Sequence, residues 1–149
     1  KLHHYLQAEI FFGRSLAITE KVFASDHIAL DQHLSSLAHL YNMQGQYARA
    51  EPLLKRSLAI REKEFGSDHQ SVAQALYSLA NLYYCNKQYS EAEPLLVRSL
   101  RILEKTVGPN SPQIAIHLKN LAALYRASNR ENDAVELEQR AANIQTSNI

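Results

Sequence analysis

The sequence predicts an all-α protein, a stack of antiparallel helix hairpins of about seven helices, and three observations lead there. The chain matches itself on a shift of 42 residues, with about half the positions identical between the first two copies. Apolar residues recur at helical spacing in both halves of each copy. Glycine and proline stand where helices would end or begin.

The first copy runs from Tyr5 to Gln46, the second from Tyr47 to Gln88 and the third from Tyr89 to Arg130; residues 131–146 continue the pattern for about half a copy as a closing helix. The whole of 1–149 is therefore expected to be one domain of three and a half units. In the second copy Leu76, Leu79, Ala80, Leu82 and Tyr83 mark one amphipathic helix, and in the third Leu95, Leu96, Leu100, Ile102 and Leu103 mark another. The expected helices are 4–24, 28–43, 48–65, 70–86, 90–107, 112–128 and 131–146.

Gly45, Gly66 and Gly108 fall where helices should stop, and Ser111 before Pro112 reads as an N-cap followed by a first-turn proline. Ser90 and Glu93 have the spacing of a capping box, although Pro94 behind them removes a backbone donor. Arg14, Arg56, Arg98 and Arg140 recur once per copy, with Glu9, Glu51 and Glu93 five residues before the first three. They suggest ion pairs between neighbouring second helices, of small stabilising effect if exposed.

Sixteen Lys and Arg against fifteen Asp and Glu leave a formal charge of +1, so no general field draws the chain to nucleic acid or to an anionic membrane. Cys85 is the lone cysteine, which excludes an internal disulfide and fits a cytoplasmic setting. No apolar run is long enough to span a bilayer, and Lys1 to Leu6 lacks the apolar stretch of a signal peptide. A start at lysine leaves room for an upstream segment.

The order Leu76, Leu79, Ala80, Tyr83, Tyr89, Ala92, Leu96 resembles the tetratricopeptide signature, in which bulky and small residues alternate so that helices interlock. The longer unit, with REKEFGSDH at 61–69 and LKNLAALY at 118–125, is similar to the extended repeat of kinesin light chains and related bacterial arrays. Ser36 and Ser78 stand where that pattern usually has the asparagine seen at Asn120, and Gln70 replaces a proline. The ending, with Glu136, Glu138, Gln139 and Arg140, is similar to the polar last helix of such arrays.

The resemblance implies a right-handed superhelical solenoid and a non-catalytic scaffold for protein–protein interaction. It implies packing roles for Tyr5, Tyr47, Tyr89, Tyr41, Tyr83 and Tyr125, and helix-start roles for His27 and His69. It also implies that the first helix of each hairpin lines a concave face, and helical spacing then picks out the candidate groove residues. These are Ser35, Ser36, His39 and Asn42, then Tyr77, Ser78, Asn81 and Tyr84, then Lys119, Asn120 and Arg126, with Gln32, Gln74 and Ala123 beside them.

Asparagines that both donate and accept, and tyrosines with apolar area and a polar tip, suit a peptide segment of a partner protein. Lys119 and Arg126 would receive an acidic group. The paired cations with which tetratricopeptide domains grip acidic chaperone tails are missing, since Ser35, Ser78, Ile116 and Asn120 hold those positions.

No catalytic residue, metal ligand set or cofactor motif is expected. His33, His39 and His117 have no acid or cysteine at ligand spacing, there is no nucleophile elbow or phosphate loop, and His3 and His4 receive no role. Cys85 has no neighbouring base in sequence to activate it. The alternative to peptide binding is a structural spacer or self-association module, a homodimer formed through the N-terminal helix around Ile10, Phe11 and Phe12.

Overall fold

The computed structural model describes residues 2–146, with side chains from residue 6 onward. The side chains of His3, His4 and Tyr5 lie outside the described residues. Seven α-helices and no strand are found among those described. They fall in two compact units, Lys1–Ser67 and Asp68–Ile149. The first holds α1 (Leu2–Val22), a 3-10 turn at Ile28–Leu30, α2 (Asp31–Met43) and α3 (Tyr47–Phe65). The second holds α4 (Gln70–Cys85), α5 (Tyr89–Val107), α6 (Pro112–Ala127) and α7 (Glu131–Thr146).

Each hairpin, α2 with α3, α4 with α5 and α6 with α7, turns through the same backbone device. The amide of Gln46 donates to the Tyr41 carbonyl at 2.8 Å and that of Gly45 to the Asn42 carbonyl at 3.0 Å. This is the paired bonding of a Schellman turn, which needs a left-handed residue just past the helix. Gly45 supplies it at φ 71°. One and two periods later Lys87 and Asn129 stand in the same place, each at φ 60°, with the same pair of bonds. Gly66 and Gly108 close α3 and α5 at φ 85° and 86°.

Helix starts are capped at repeat-equivalent places. The Nδ1 of His27 accepts from the Ala29 amide and that of His69 from the Ser71 amide, both at 3.1 Å, while Ser111 Oγ accepts from the Gln113 amide at 3.4 Å. Two expectations need correction. The second helix was expected from residue 28, yet His27 caps a 3-10 turn that buries Leu30, and α2 begins only at Asp31. The Ser90–Glu93 capping box is absent: the Schellman turn runs straight into α5, which starts at Tyr89, so Ser90 already lies inside the helix and donates to Glu91 instead.

Small residues are buried on both helices of each hairpin. Ala38 faces the hairpin core with Ala50 and Ser57, Ala80 with Ala92 and Ser99, and Ala122 with Ala134 and Ala141, all fully or almost fully buried. Short side chains at the crossing let helices approach closely. The two serines bury their hydroxyls only because these are bonded, Ser57 to Asp31 at 2.5 Å and Ser99 to the Ala73 carbonyl at 2.7 Å. Asp31 also takes the Arg61 guanidinium at 2.9 Å in a largely buried ion pair. Tyr41 and Tyr83 are buried and Tyr47, Tyr89 and Tyr125 half-buried.

The arginine ladder exists with different acids. Arg56 of α3 pairs with Glu20 of α1, and Arg140 of α7 with Glu104 of α5, each at 2.5 Å, so the ladder joins successive second helices through a glutamate near the C-terminal end of the earlier one. Glu9 and Glu93 go elsewhere. Glu9 meets Arg49, whose guanidinium lies 4.0 Å above the Tyr41 ring, and Glu93 meets Arg130, 4.0 Å above the Tyr125 ring. Burial, followed by the nearby glutamate at Glu93, raises the Tyr125 phenol above its ordinary range, and burial also raises Tyr41.

Two stability measurements follow. Lys87→Gly should stabilise the protein by about 1 kcal/mol and Gly45→Ala destabilise it by about the same, read as urea midpoints, because a Cβ in a left-handed turn position is strained. Asp31→Ala should cost about 2–4 kcal/mol, since it removes the largely buried ion pair with Arg61 and the shorter of the two bonds to Ser57, whereas an exposed control such as Glu64→Ala should stay within about 0.5 kcal/mol.

Candidate functional site

In the second unit the first helices of the two hairpins, α4 and α6, are tied side chain to side chain. Gln70 Nε2 donates to Gln113 Oε1 at 3.1 Å, the Tyr77 and His117 rings sit 4.8 Å apart, and Asn120 Nδ2 donates to the Tyr77 hydroxyl at 2.9 Å. A cleft of about 540 Å³ opens at the N-terminal ends of these helices, lined by His69, Gln70, Ser71, Gln74, Tyr77, Leu103, Gln113, Ile116 and His117. A smaller hollow of about 70 Å³ continues beyond Tyr77, lined by Ala80, Asn81, Tyr84, Leu96, Asn120 and Ala123. Tyr77 is the wall common to both.

The lining holds no lysine, arginine, aspartate or glutamate. It offers amides, hydroxyls and two imidazoles for hydrogen bonds, with Tyr77, Tyr84 and the exposed Ile116 as apolar surface. His117 Nδ1 donates to the Gln113 carbonyl at 3.0 Å, and its buried Nε2 has no partner among the described residues. Burial pushes this imidazole below its ordinary range, partly offset by the Gln113 bond.

The residues expected in the groove have different fates. Tyr77, Asn81, Tyr84 and Asn120 come together as described, and Tyr84 also packs on Tyr89 at 5.6 Å. Ser78 turns its hydroxyl back to the Gln74 carbonyl at 3.1 Å. Lys119 donates to Gln145 on α7 at 3.1 Å. Arg126 is held by both Glu138 oxygens, at 3.0 and 2.8 Å, and by Glu131, so its charge is already matched. In the first unit Ser35 reaches Ser57 on α3 at 3.2 Å, Ser36 is half-buried, His39 is exposed, and Asn42 is half-buried with its Oδ1 lacking a partner among the described residues.

His69, Gln70, Ser71, Gln113, Ile116 and His117 were not expected in the groove. One signal pointed to them: Ile116 is an exposed β-branched residue where the earlier copies carry Gln32 and Gln74. No cluster suited to a metal ion occurs among the described residues, and Cys85 is exposed with Asn81 3.8 Å from its sulfur. None of the described helices is long and apolar enough to cross a membrane.

The profile of the tetratricopeptide repeat matches residues 1–63, 32–105 and 71–147. The chain belongs to the tetratricopeptide repeat family. Repeats of this family form protein–protein interaction scaffolds and are not catalytic. A solved protein of Podosopora anserina, described as a kinesin light chain with nearly identical TPR-like repeats, is 30% identical with TM-score 0.86, over 97% of this chain and 69% of its own. BtubC (BKLC) from P. vanneervenii has TM-score 0.90 at 22% identity, over 97% of this chain and 58% of its own, a likeness of fold. No curated protein matches the sequence. The tetratricopeptide repeats here are thus of the kinesin-light-chain-like kind.

Because the folded His117 has a lowered pKa, the unfolded chain takes up the proton first as pH falls below about 6.5. The stabilising contribution is therefore fully present above that pH and is lost below it. The Tm of the wild type should fall more between about pH 7 and about pH 5 than that of His117→Gln, and parallel curves would show that His117 does not set this slope.

Proposed function

We propose that the face shared by α4 and α6 is a groove that binds a peptide segment of a partner protein. The observation that carries this reading is the uncharged lining that runs past Tyr77 on both sides, with amides at Gln70, Gln74, Gln113, Asn81 and Asn120. Each primary amide both donates and accepts, so the set can follow a peptide backbone whatever its side chains. Tyr77, Tyr84 and Ile116 supply apolar area for an anchoring side chain, where binding energy concentrates. His39 and Asn42 on α2 offer the same chemistry in the first unit.

Lys119 and Arg126 act at the edge of this reading. With Arg126 matched by Glu131 and Glu138, the ligand is selected by shape and hydrogen bonds and not by charge. The bound segment is accordingly uncharged, with an aliphatic or aromatic anchor.

Selection from a displayed peptide library against the whole chain tests this. The reading expects ligands without a charge consensus, with affinity on the order of micromolar for so small a surface, and less than about a twofold change in Kd when salt is raised. Tyr77→Ala and Asn120→Ala should each weaken binding by about tenfold or more, with helicity unchanged. A strongly acidic consensus, or full retention of binding by both variants, would refute it.

A further inference from the structure

His117 is committed at one ring nitrogen and stranded at the other. A carbonyl oxygen can only accept, so the 3.0 Å bond between Nδ1 and the Gln113 carbonyl places the ring proton on Nδ1 and leaves Nε2 as a bare lone pair. That Nε2 is buried and meets no hydrogen-bond partner among the described residues. The ring also sits 4.8 Å from that of Tyr77, the wall common to both hollows, and Asn120 fixes Tyr77 by donating to its hydroxyl.

A second proton must therefore enter at Nε2, where it would create a buried N–H without an acceptor and a charge without a counter-ion. Among the groups that share the cleft, His69 at the start of α4 and Tyr77 are titratable; Leu103 of α5 and Gln113 and Ile116 of α6 are not, and the lining holds no carboxylate. The nearest cations along α6, Lys119 and Arg126, are engaged by α7. Burial is the larger influence on this imidazole and lowers its pKa, while the Gln113 bond is the smaller. The charged ring is satisfied only by swinging Nε2 out to water, which breaks the Gln113 bond and withdraws the ring from Tyr77.

We propose that His117 is a proton switch for the groove, which holds its peptide while the imidazole is neutral and releases it when the imidazole is protonated. The switch rests on the peptide-groove reading above. A peptide lying against Tyr77 keeps the ring in its inward position, so peptide and proton exclude one another, and each weakens the other by the same factor. The sign follows from the lowered pKa of the folded chain: affinity is flat above about pH 6.5 and falls as the pH drops through the folded value.

The probe is an uncharged peptide selected against the whole chain at about pH 7.5, free of histidine and acidic residues, with blocked termini. Its Kd is measured down to about pH 5 at constant ionic strength, with helicity checked at each point. In the wild type Kd should rise by about threefold or more, as the binding-competent fraction falls. In His117→Phe, which keeps a ring beside Tyr77 and takes up no proton, it should rise by less than about 1.5-fold. His69→Ser separates the other imidazole, since serine already caps α6 at Ser111, and it should keep the wild-type rise. Proton resonances of His117 give a reading independent of any variant: its pKa should be lower with peptide bound than free, and its ring contacts with Tyr77 should vanish at about pH 5. A flat wild-type profile, an equal rise in His117→Phe, a rise abolished by His69→Ser, or a His117 pKa unmoved by peptide would overturn the switch and leave the groove standing. Lack of any Tyr77-dependent binding at about pH 7.5 would remove the groove reading, and the switch with it.

Discussion

Close approach of two helices at alanine and serine is the constraint on which each hairpin depends. Ala38, Ala80 and Ala122 on first helices, and Ala50, Ala92 and Ala134 on second helices, are all fully buried. A larger side chain at any of them would push the helices apart and unseat the leucines on either side, since interiors packed at crystal density tolerate added volume poorly. Ser57 and Ser99 extend the same contact and add a bond that fixes register along the helix axis. The Schellman turn with its left-handed residue then brings the chain back at the angle this contact needs.

Much of this was legible in the sequence because it depends on residue type at a fixed place in a period. The caps at His27, His69 and Ser111 and the helix stops at Gly66 and Gly108 are local, so one side chain or its absence defines them. The left-handed positions at Lys87 and Asn129 are invisible in the residues themselves and emerge only by register with Gly45. The capping box at Ser90 was misread because its spacing is satisfied inside a helix as well as at its start. Ion partners were the least legible. A long side chain has several acids within reach, and Glu9 and Glu93 meet Arg49 and Arg130, which sit at different points of the period yet deliver a guanidinium to the same tyrosine face.

The candidate site follows the same division. Tyr77, Asn81, Tyr84 and Asn120 share helix faces that spacing identifies, and the hydrogen bond from Asn120 to Tyr77 joins residues one period apart, plus one. The larger cleft was missed since it combines the first turns of α4 and α6, where residues serve as caps and as lining at once, as His69 does. Lys119 and Arg126 are engaged by Gln145, Glu131 and Glu138 of α7, contacts that no periodicity announces. The two hollows beside Tyr77 are left lined by amides and rings.

The most direct measurement is a proton–nitrogen correlation spectrum of the whole chain titrated with a selected uncharged peptide, following the side-chain amides of Gln70, Gln74, Asn81, Gln113 and Asn120. A groove between α4 and α6 predicts saturable shifts concentrated in those amides and in the backbone beside Tyr77. Shifts confined to α1 or to α7, with the amides of α4 and α6 unmoved, would contradict it.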